Sequence, residues 1–244
     1  MKKVLVITDN GWIYKSIKEI IDIEFNYLSH LFEFRKSPSK KKGIYSNGIE
    51  ELEEIDVNKK TDFIIDNYEK VISLHCKQIF PQKLISNIKC INVHPGYNPH
   101  NRGWYPQVFA ILNKKIFGAT IHIMDEEIDN GAIIDREEVR IFDWETSKEA
   151  YEKVLDVELK LFRKNIHNII NNTFEIFSPE FKGDYCSIND YKKICQLDLN
   201  EKLTMKEAID RLRSLSHGDY NNAFFYDDEN NKIYVKIKLD KENE

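Results

Sequence analysis

Apolar and polar positions alternate in blocks along the first two thirds of the chain and predict short strands separated by helices. The apolar run within residues 3–8 is typical of a strand that is buried on both faces. A turn at residues 9–11 follows, and isoleucines then recur at helical spacing over residues 13–23. A strand, a glycine-containing turn and a helix in this order typically open a parallel β-α-β unit.

Further strands and helices follow this first unit. Strands are predicted at 70–74, 89–93, 118–124 and 132–141, and helices at 57–67, 81–88 and 147–171. Pro81 is placed at the first position of its helix, where proline is tolerated. This order of elements predicts an α/β fold with a mostly parallel sheet.

The pattern changes near residue 178, where Ser178, Pro179 and Gly183 interrupt it. We therefore predict a core of residues 1–178 and a small C-terminal α+β region of residues 179–244. The expected elements of that region are a helix capped by Thr204 and a terminal β-hairpin, at residues 205–215, 223–226 and 232–239.

The composition is that of a folded protein and excludes several other classes. Hydrophobic residues make up 41% and charged residues 32% of the 244 positions, which excludes a disordered chain. The apolar runs are far shorter than the about 20 residues that a membrane span needs, so we expect no membrane partner. The net charge is −5 at pH 7, whereas nucleic-acid-binding proteins usually carry a basic balance.

A local basic cluster is formed by Lys36, Lys40, Lys41 and Lys42, and acidic residues follow it closely at 50–54. A solvated loop explains this arrangement better than a nucleic-acid site does. We therefore expect no nucleic-acid partner.

The cysteines indicate a reducing compartment. Cys76, Cys90, Cys186 and Cys195 include no Cys-x-x-Cys pair, and the first two lie in or beside apolar strand segments. Free thiols in such places behave as small hydrophobic residues. These cysteines therefore predict a cytoplasmic protein. Because Asp9 ends the first apolar stretch, we predict no targeting segment there.

The candidate catalytic and binding residues are concentrated between residues 91 and 131. Asn92 and His94 end a predicted parallel strand, and ligands of open parallel sheets bind at the carboxyl ends of strands. Residues two apart in a strand point to the same side, so these two side chains are expected to project together. Asparagine offers an amide donor for developing negative charge, and histidine titrates near neutral pH. The loop at 97–106 then combines aromatic residues with an arginine, as functional surface loops do.

Two other interpretations of this region lead away from catalysis. The acidic segment 125–129, taken alone, is compatible with an ordinary solvated turn. A metal site would use His94, His100 and His122 as ligands, but this spacing matches no standard ligand pattern. We therefore predict no metal.

Three motifs resemble the 10-formyltetrahydrofolate-dependent formyltransferases. They are Asn-x-His-Pro at residues 92–95, Arg-Gly-x-x-Pro at 102–106 and Asp-x-Gly at 129–131. The resemblance implies a Rossmann-like formyltransferase core and a catalytic triad of Asn92, His94 and Asp129. Segments 74–81, 94–98, 101–107 and 118–122 further resemble the sugar N-formyltransferases that act on dTDP-linked amino sugars.

The resemblance implies transfer of a formyl group from 10-formyltetrahydrofolate to the amine of a dTDP-linked amino-dideoxy sugar. The expected acceptor is dTDP-4-amino-4,6-dideoxyglucose, used for a surface polysaccharide such as O-antigen; a dTDP-3-amino-3,6-dideoxyhexose is the alternative. His94 would act as the base, Asn92 would stabilise the formyl oxygen, and Asp129 would orient His94 or hold a relaying water.

The resemblance also implies that folate lies against two loops. The expected contacts are Cys76, Lys77, Gln78, Ile79 and Phe80 in the first loop, and Asp125, Glu126 and Ile128 in the second. For Ile79 and Phe80, packing in the core is an equally open interpretation.

The predicted nucleotide site draws on three parts of the chain. Asn10 and Trp12 flank a glycine turn whose amides, at the start of a helix, can receive a phosphate. Lys77 and Arg102 are the cations expected for the pyrophosphate. The remaining candidates are Gly103, Trp104 and Tyr105, with Tyr220 and Phe224 from the C-terminal region. The last two either stack on thymine or pack in a minor core.

The C-terminal region, which we call the tail, and the catalytic triad distinguish the predicted function from four alternatives. A methionyl-tRNA formyltransferase is expected to carry a longer, basic C-terminal domain, whereas residues 219–244 contain seven acidic residues and four lysines. A glycinamide ribonucleotide formyltransferase would leave the tail unexplained, and a formyltetrahydrofolate hydrolase would add an N-terminal domain before the strand at Lys3. A non-catalytic nucleotide-sugar binding module would not need the triad.

The last predicted strand carries an apolar row that must be covered. The row consists of Ile233, Val235, Ile237 and Leu239. It would pack on the C-terminal helix of its own chain or on a second subunit, since an isolated hairpin is marginally stable in water. The resemblance favours a homodimer formed through the C-terminal region.

Overall fold

The computed structural model describes residues 2–38 and 47–242. Of the predicted basic cluster, Lys40, Lys41 and Lys42 lie outside these residues. Lys36 is described, and its ammonium group donates to the backbone oxygens of Ile49 and Glu50.

The elements alternate between strands and helices in the first part of the chain and become mainly helical after it. The strands are β1 Lys3–Thr8, β2 Phe32–Arg35, β3 Tyr68–Leu74, β4 Lys89–His94, β5 Arg102–Gly103, β6 Gly118–Ile123, β7 Ile133–Glu138, β8 Tyr185–Cys186, β9 Ala223–Tyr226 and β10 Lys232–Val235. The helices are α1 Gly11–Glu24, α2 Thr61–Asn67, α3 Gln82–Asn87, α4 Pro106–Asn113, α5 Ser147–Asn171, α6 Ile188–Cys195 and α7 Met205–Leu215, with a 3-10 helix at Asn26–Leu31.

A six-stranded sheet in the order β2-β1-β3-β4-β6-β7 organises these elements. Strands β2, β1, β3 and β4 run parallel, and β6 pairs antiparallel with β4. The prediction of an α/β fold with a mostly parallel sheet is therefore confirmed. The parallel arrangement brings the carboxyl ends of β1 to β4 to one edge of the sheet, where ligands of such sheets bind.

The described chain divides into two compact units. The first comprises residues 1–94, 120–136 and 158–180, and the second comprises 95–119, 137–157 and 181–244. The first unit has a core of buried apolar residues from β1, β3, β4 and the helices beside them. The second has a smaller core, formed by Val108, Phe109, Tyr191, Cys195, Leu215 and Ala223. The predicted division into residues 1–178 and 179–244 cuts the sequence once, whereas each compact unit is built from several segments. That division stays a prediction.

Several predicted boundaries are wrong: α2 begins at Thr61 instead of residue 57, β3 begins at Tyr68 instead of residue 70, and β7 ends at Glu138 instead of residue 141. Two further boundaries are wrong for local reasons. Pro81 is the N-cap of α3 rather than its first helical residue, because its ψ of 147° is extended. The last strand ends at Val235 instead of residue 239, because the amide of Ile237 donates to Ser216 Oγ at 3.0 Å. The hairpin of β9 and β10 itself is confirmed.

Some elements were not predicted. The short strand β2 is half-buried, and α4 is apolar on nearly all sides, so it lacks the polar face that reveals a surface helix. Among the residues that the structure describes, no helix combines the length and hydrophobicity that crossing a membrane requires.

Candidate active site

The antiparallel pairing of β4 with β6 assembles a polar cluster at the end of β4. Asn92 lies opposite His122, and His94 lies opposite Thr120. Directly opposed residues place their side chains on the same face of a sheet. The face that Asn92 and His94 share therefore also carries His122, and the His94 and His122 rings meet edge to face with centroids 6.3 Å apart.

Asp129 joins this cluster from the loop after β6. Its Oδ1 accepts a hydrogen bond from Asn92 Nδ2 at 3.0 Å, and its Oδ2 lies 3.6 Å from His94 Nδ1. The loop needs Gly131, since a Cβ there would lie 1.8 Å from the backbone oxygen of Ile123. Asp129 itself has a φ of 51°, a left-handed conformation that aspartate and asparagine tolerate better than most residues. The structure thus brings the three predicted triad residues together.

His122 is a fourth polar residue of this cluster, although the sequence indicated it only as a candidate metal ligand. Its Nδ1 lies 2.9 Å from the backbone oxygen of Ile123, so Nδ1 carries the proton. Its Nε2 lies 3.4 Å from both Asn92 Nδ2 and Asp129 Oδ1. A signal was present in the sequence, because Thr120 and His122 are the polar positions of the otherwise apolar strand β6.

His100, the third residue of the weighed metal site, belongs to the other compact unit. Its Nδ1 lies 3.4 Å from Asp184 Oδ2, and its ring packs on Phe181. Within residues 2–38 and 47–242, no group of three or more His, Cys, Asp or Glu side chains is arranged to hold a metal ion.

The loop between β3 and α3, residues 75–80, directs some predicted folate contacts inward and others outward. Phe80 is buried in the core, and burial raises the pKa of the Cys76 thiol to about 11. The Gln78 side chain is engaged by the backbone of neighbouring loops. Ile79 is 73% exposed, and Lys77 is also exposed. Core packing therefore applies to Phe80 and not to Ile79.

The acidic loop after β6 is organised by its own side chains. Asp125 Oδ1 accepts from the amide of Glu127 at 3.0 Å, and Asp125 Oδ2 accepts from Asn130 at 3.2 Å. Glu126 accepts from Gln82 of α3. Ile128 is exposed. The two carboxylates hold the loop that presents Asp129, a more specific role than that of a solvated turn.

At the start of α1, Asn10 caps the helix. Its Oδ1 accepts from the amides of Trp12 and Ile13 at 3.0 and 3.2 Å. The two amides therefore already donate to the Asn10 side chain. The sequence had instead suggested that they are open to a phosphate. The exposed indole of Trp12 is the part of this segment that remains a candidate substrate contact.

Within the second unit, β8 holds the loop at residues 97–106, which we call the arginine loop. The amides of Arg102 and Trp104 donate to Asp184 and Cys186. Gly103 has a φ of 91°, and a Cβ there would lie 2.4 Å from the backbone oxygen of Cys186, so a larger residue would break this pairing. Arg102 is buried, whereas Trp104 is exposed. Tyr105 stacks on Tyr191 with ring centroids 3.8 Å apart.

Comparison with known proteins identifies the family. Residues 42–166 match a family model described as formyl transferase. Over 187 residues the chain is 39% identical to a dTDP-4-amino-4,6-dideoxyglucose formyltransferase of Mycobacterium bovis, covering 77% of this chain and 80% of the relative. The chain belongs to the formyl transferase family. It is an enzyme, which excludes the non-catalytic binding module.

Solved structures agree with this assignment of the formyltransferase. A sugar N-formyltransferase from a Shewanella species has a TM-score of 0.94 at 40% identity, over 100% of both chains. A 4-N formyltransferase from Francisella tularensis has a TM-score of 0.88 at 43% identity, over 98% of both chains. The predicted formyltransferase core is confirmed, and the comparisons support a sugar N-formyltransferase activity.

The C-terminal part of this formyltransferase matches a second family model. Residues 190–241 match the N-formyltransferase dimerization C-terminal domain. Phe224 lies against the core of the second unit, with the Lys232 ammonium 3.6 Å from its ring centroid. Tyr220 meets the ring of His217 edge to face at 5.6 Å, and Tyr151 does so at the same distance.

His217 gives this formyltransferase an expected loss of stability in mild acid. Burial lowers the pKa of its imidazole, whose Nδ1 lies 3.1 Å from Ser147 Oγ. Between the ordinary value of about 6.5 and the lowered value, the unfolded chain binds more protons, so stability falls as pH falls through this window. We expect His217→Gln to reduce the drop in Tm between pH 7 and pH 5 by about 2–4 °C.

Thermal denaturation followed by circular dichroism at the two pH values measures this effect. His167→Gln, at an exposed position of α5, is the matched control and should leave the drop unchanged. Equal drops in the wild type and in His217→Gln would contradict the prediction.

Proposed function

We propose that the protein transfers the formyl group of 10-formyltetrahydrofolate to the amine of dTDP-4-amino-4,6-dideoxyglucose. The observation that carries the proposal is the partly buried cluster of Asn92, His94 and Asp129 at the carboxyl end of β4. The named activity of the 39% identical mycobacterial relative supports the choice of acceptor. As a cytoplasmic enzyme it would supply a formylated sugar for a surface polysaccharide such as O-antigen.

The residues of the cluster fit formyl transfer from a folate donor. They combine an imidazole, a carboxylate and an amide, which are the groups that acyl transfer to an amine requires. The donor supplies the activated formyl carbon. In the reaction, the C–N bond to the donor nitrogen breaks and a C–N bond to the sugar amine forms. One proton therefore leaves the amine and one reaches the donor nitrogen.

His94 is the residue that moves this proton in the proposal. It is 5% exposed, and in the proposal its imidazole takes the proton from the attacking amine. Asp129, 3.6 Å from Nδ1, stabilises the imidazolium that forms when His94 accepts the proton.

Asn92 is assigned to the formyl oxygen. Its amide carries two N–H groups, and one donates to Asp129 at 3.0 Å. That bond fixes the plane of the amide, and the same nitrogen also lies 3.4 Å from His122 Nε2. In the proposal, an amide held in this way stabilises the negative charge that develops on the formyl oxygen. Fixed donors are effective because they need no reorganisation during the reaction.

The substrate contacts proposed outside the cluster follow from exposure and charge. Lys77 is the exposed cation of the loop at residues 75–80, and Trp104 is the exposed aromatic residue of the arginine loop. We propose Lys77, for the pyrophosphate, and Trp12 as substrate contacts of the first unit, and Trp104 and Tyr220, for the sugar and base, as those of the second unit. Arg102 is buried, so its predicted contact with the pyrophosphate rests on its charge alone.

The test is a transfer assay with purified protein. The enzyme is incubated with 10-formyltetrahydrofolate and, in parallel, with dTDP-4-amino-4,6-dideoxyglucose, a dTDP-3-amino-3,6-dideoxyhexose, glycinamide ribonucleotide and methionyl-tRNA. Mass spectrometry should detect one added formyl group on the 4-amino sugar. Preferred formylation of the 3-amino sugar would correct the acceptor, and formylation of neither sugar would contradict the proposal.

We also propose that the C-terminal region forms a homodimer. The match to a dimerization domain supports it, as does the exposed apolar surface of the hairpin, where Ile233 is 39% exposed and Tyr226 and Tyr234 are also exposed. Exposed apolar patches of this kind mark interaction surfaces.

Ile233→Asp is expected to convert the dimer to a monomer at micromolar concentration, because it places a charge in the buried contact. Light scattering measures the change in mass. Asn230→Asp adds the same charge at the exposed turn of the hairpin and should leave the dimer intact. A monomeric wild-type protein would contradict the proposal.

A further inference from the structure

The loop between β3 and α3 is tied to other parts of the first unit at several points. We call residues 75–80 the substrate loop. At its start, His75 Nε2 lies 2.8 Å from the buried carboxylate of Glu158. At its end, Phe80 is buried in the core. Between these ends, Cys76 packs against the core, whereas Lys77 and Ile79 are exposed.

Asp9 anchors the centre of the substrate loop. It follows β1 and is 8% exposed. Its Oδ2 accepts a hydrogen bond from the amide of Lys77 at 2.8 Å and another from Ser37 Oγ at 2.7 Å. Its Oδ1 accepts from the amide of Ser37 at 2.9 Å. One carboxylate thus joins the segments that follow β1, β2 and β3.

Gln78 extends this connection. Its Nε2 donates to Ser37 Oγ at 3.0 Å and to the backbone oxygen of Ile55 at 2.9 Å. Its Oε1 accepts from the amide of Val57 at 2.9 Å. The Ser37 hydroxyl therefore accepts from Gln78 while it donates to Asp9, and the backbone and the side chains of the loop centre are held by one network.

The chemistry of Asp9 indicates a positioning task. A buried carboxylate is costly unless hydrogen bonds satisfy it, and the three donors here are neutral groups of two different loops. Hydrogen bonds to an ionised oxygen are stronger than those between neutral groups. Asp9 therefore holds the amide of Lys77 more firmly than a neutral side chain would.

We infer that Asp9 is a positioning residue that preorganises the substrate loop for binding. The inference rests on the proposed function, in which this loop contacts the folate donor and Lys77 contacts the pyrophosphate. A loop that is already held in place loses little conformational freedom when the ligand binds. Loss of the Asp9 bond should consequently weaken binding and leave the chemical step nearly intact.

Asp9→Asn is the appropriate variant because it keeps the shape and exchanges one accepting oxygen for an NH2 group. The remaining oxygen can accept from the amide of Ser37 or from that of Lys77 but not from both, and it carries no charge, so the hold on the Lys77 amide is weakened in either orientation. We expect the Kd for 5-formyltetrahydrofolate, a stable folate probe, to rise about tenfold in calorimetry. The KM for the formyl donor should rise in parallel, and kcat at saturation should stay within about threefold.

Amide hydrogen exchange provides a readout of the loop itself. The Lys77 amide should exchange at least tenfold faster in Asp9→Asn than in the wild type, because its charged acceptor is replaced by a neutral one or lost. Asp22→Asn makes the same charge change at an exposed position of α1 and should alter neither exchange at Lys77 nor binding.

The outcomes separate the two proposals. An unchanged Kd in Asp9→Asn, or a fall in kcat with an unchanged Kd, would overturn the role of Asp9.

If that variant does not fold, Ser37→Ala decides: it removes the hydroxyl that bridges Asp9 and Gln78, and it should raise the Kd about threefold. An unchanged Kd there would overturn the inference. A wild-type protein that binds no folate would instead contradict the proposed function, together with this inference.

Discussion

Replacing His94 with asparagine is expected to lower kcat at least a hundredfold. In the proposal, the imidazole of His94 accepts the proton of the attacking amine and passes it on, and asparagine cannot do so near neutral pH. His94 is nearly buried at the end of β4, and asparagine keeps a polar side chain of smaller volume there. The Kd for 5-formyltetrahydrofolate should therefore stay within about threefold of the wild type.

Steady-state kinetics and calorimetry on the same preparation separate these two quantities. His167→Asn, at an exposed position of α5, is the matched control and should retain full activity. If His94→Asn kept a tenth of the wild-type kcat, His94 would not be the base, and the proton transfer would have to be assigned to another group.

Replacing Asp129 with asparagine should also lower kcat at least a hundredfold, for an electrostatic reason. Asparagine tolerates the left-handed backbone conformation at this position, and its carbonyl oxygen can still accept from Asn92. The negative charge 3.6 Å from His94 Nδ1 is lost, so the imidazolium formed in the reaction is no longer stabilised.

Asp129→Ala tests whether charge or hydrogen bonding dominates. It removes the charge and also the acceptor for Asn92, so its kcat should be equal to or lower than that of Asp129→Asn. Asp62→Asn makes the same charge change on an exposed part of α2 and should leave kcat unchanged. Near-wild-type turnover by Asp129→Asn would show that the carboxylate charge has no part in the chemistry.

The sequence by itself determined the α/β class, the bounds of the long helix α5 and the start of β4. These features depend on local periodicity, since the apolar stripe of α5 recurs at helical spacing and residues two apart in β4 share a side. The motifs around Asn92 and Asp129 were sufficient to predict the family. The amide capping by Asn10 is also local, yet its consequence for the predicted phosphate contact required the hydrogen-bond geometry.

Only the tertiary structure decided which distant residues meet. His122 joins the cluster because β6 pairs antiparallel with β4 in one register, and a shift of one residue would turn its side chain to the other face. Asp9 reaches the amide of Lys77, 68 residues away, because β1 and β3 are neighbours in the sheet. Such contacts are set by strand order and register, which arise from the packing of the whole sheet and leave no periodic trace in the segments they join.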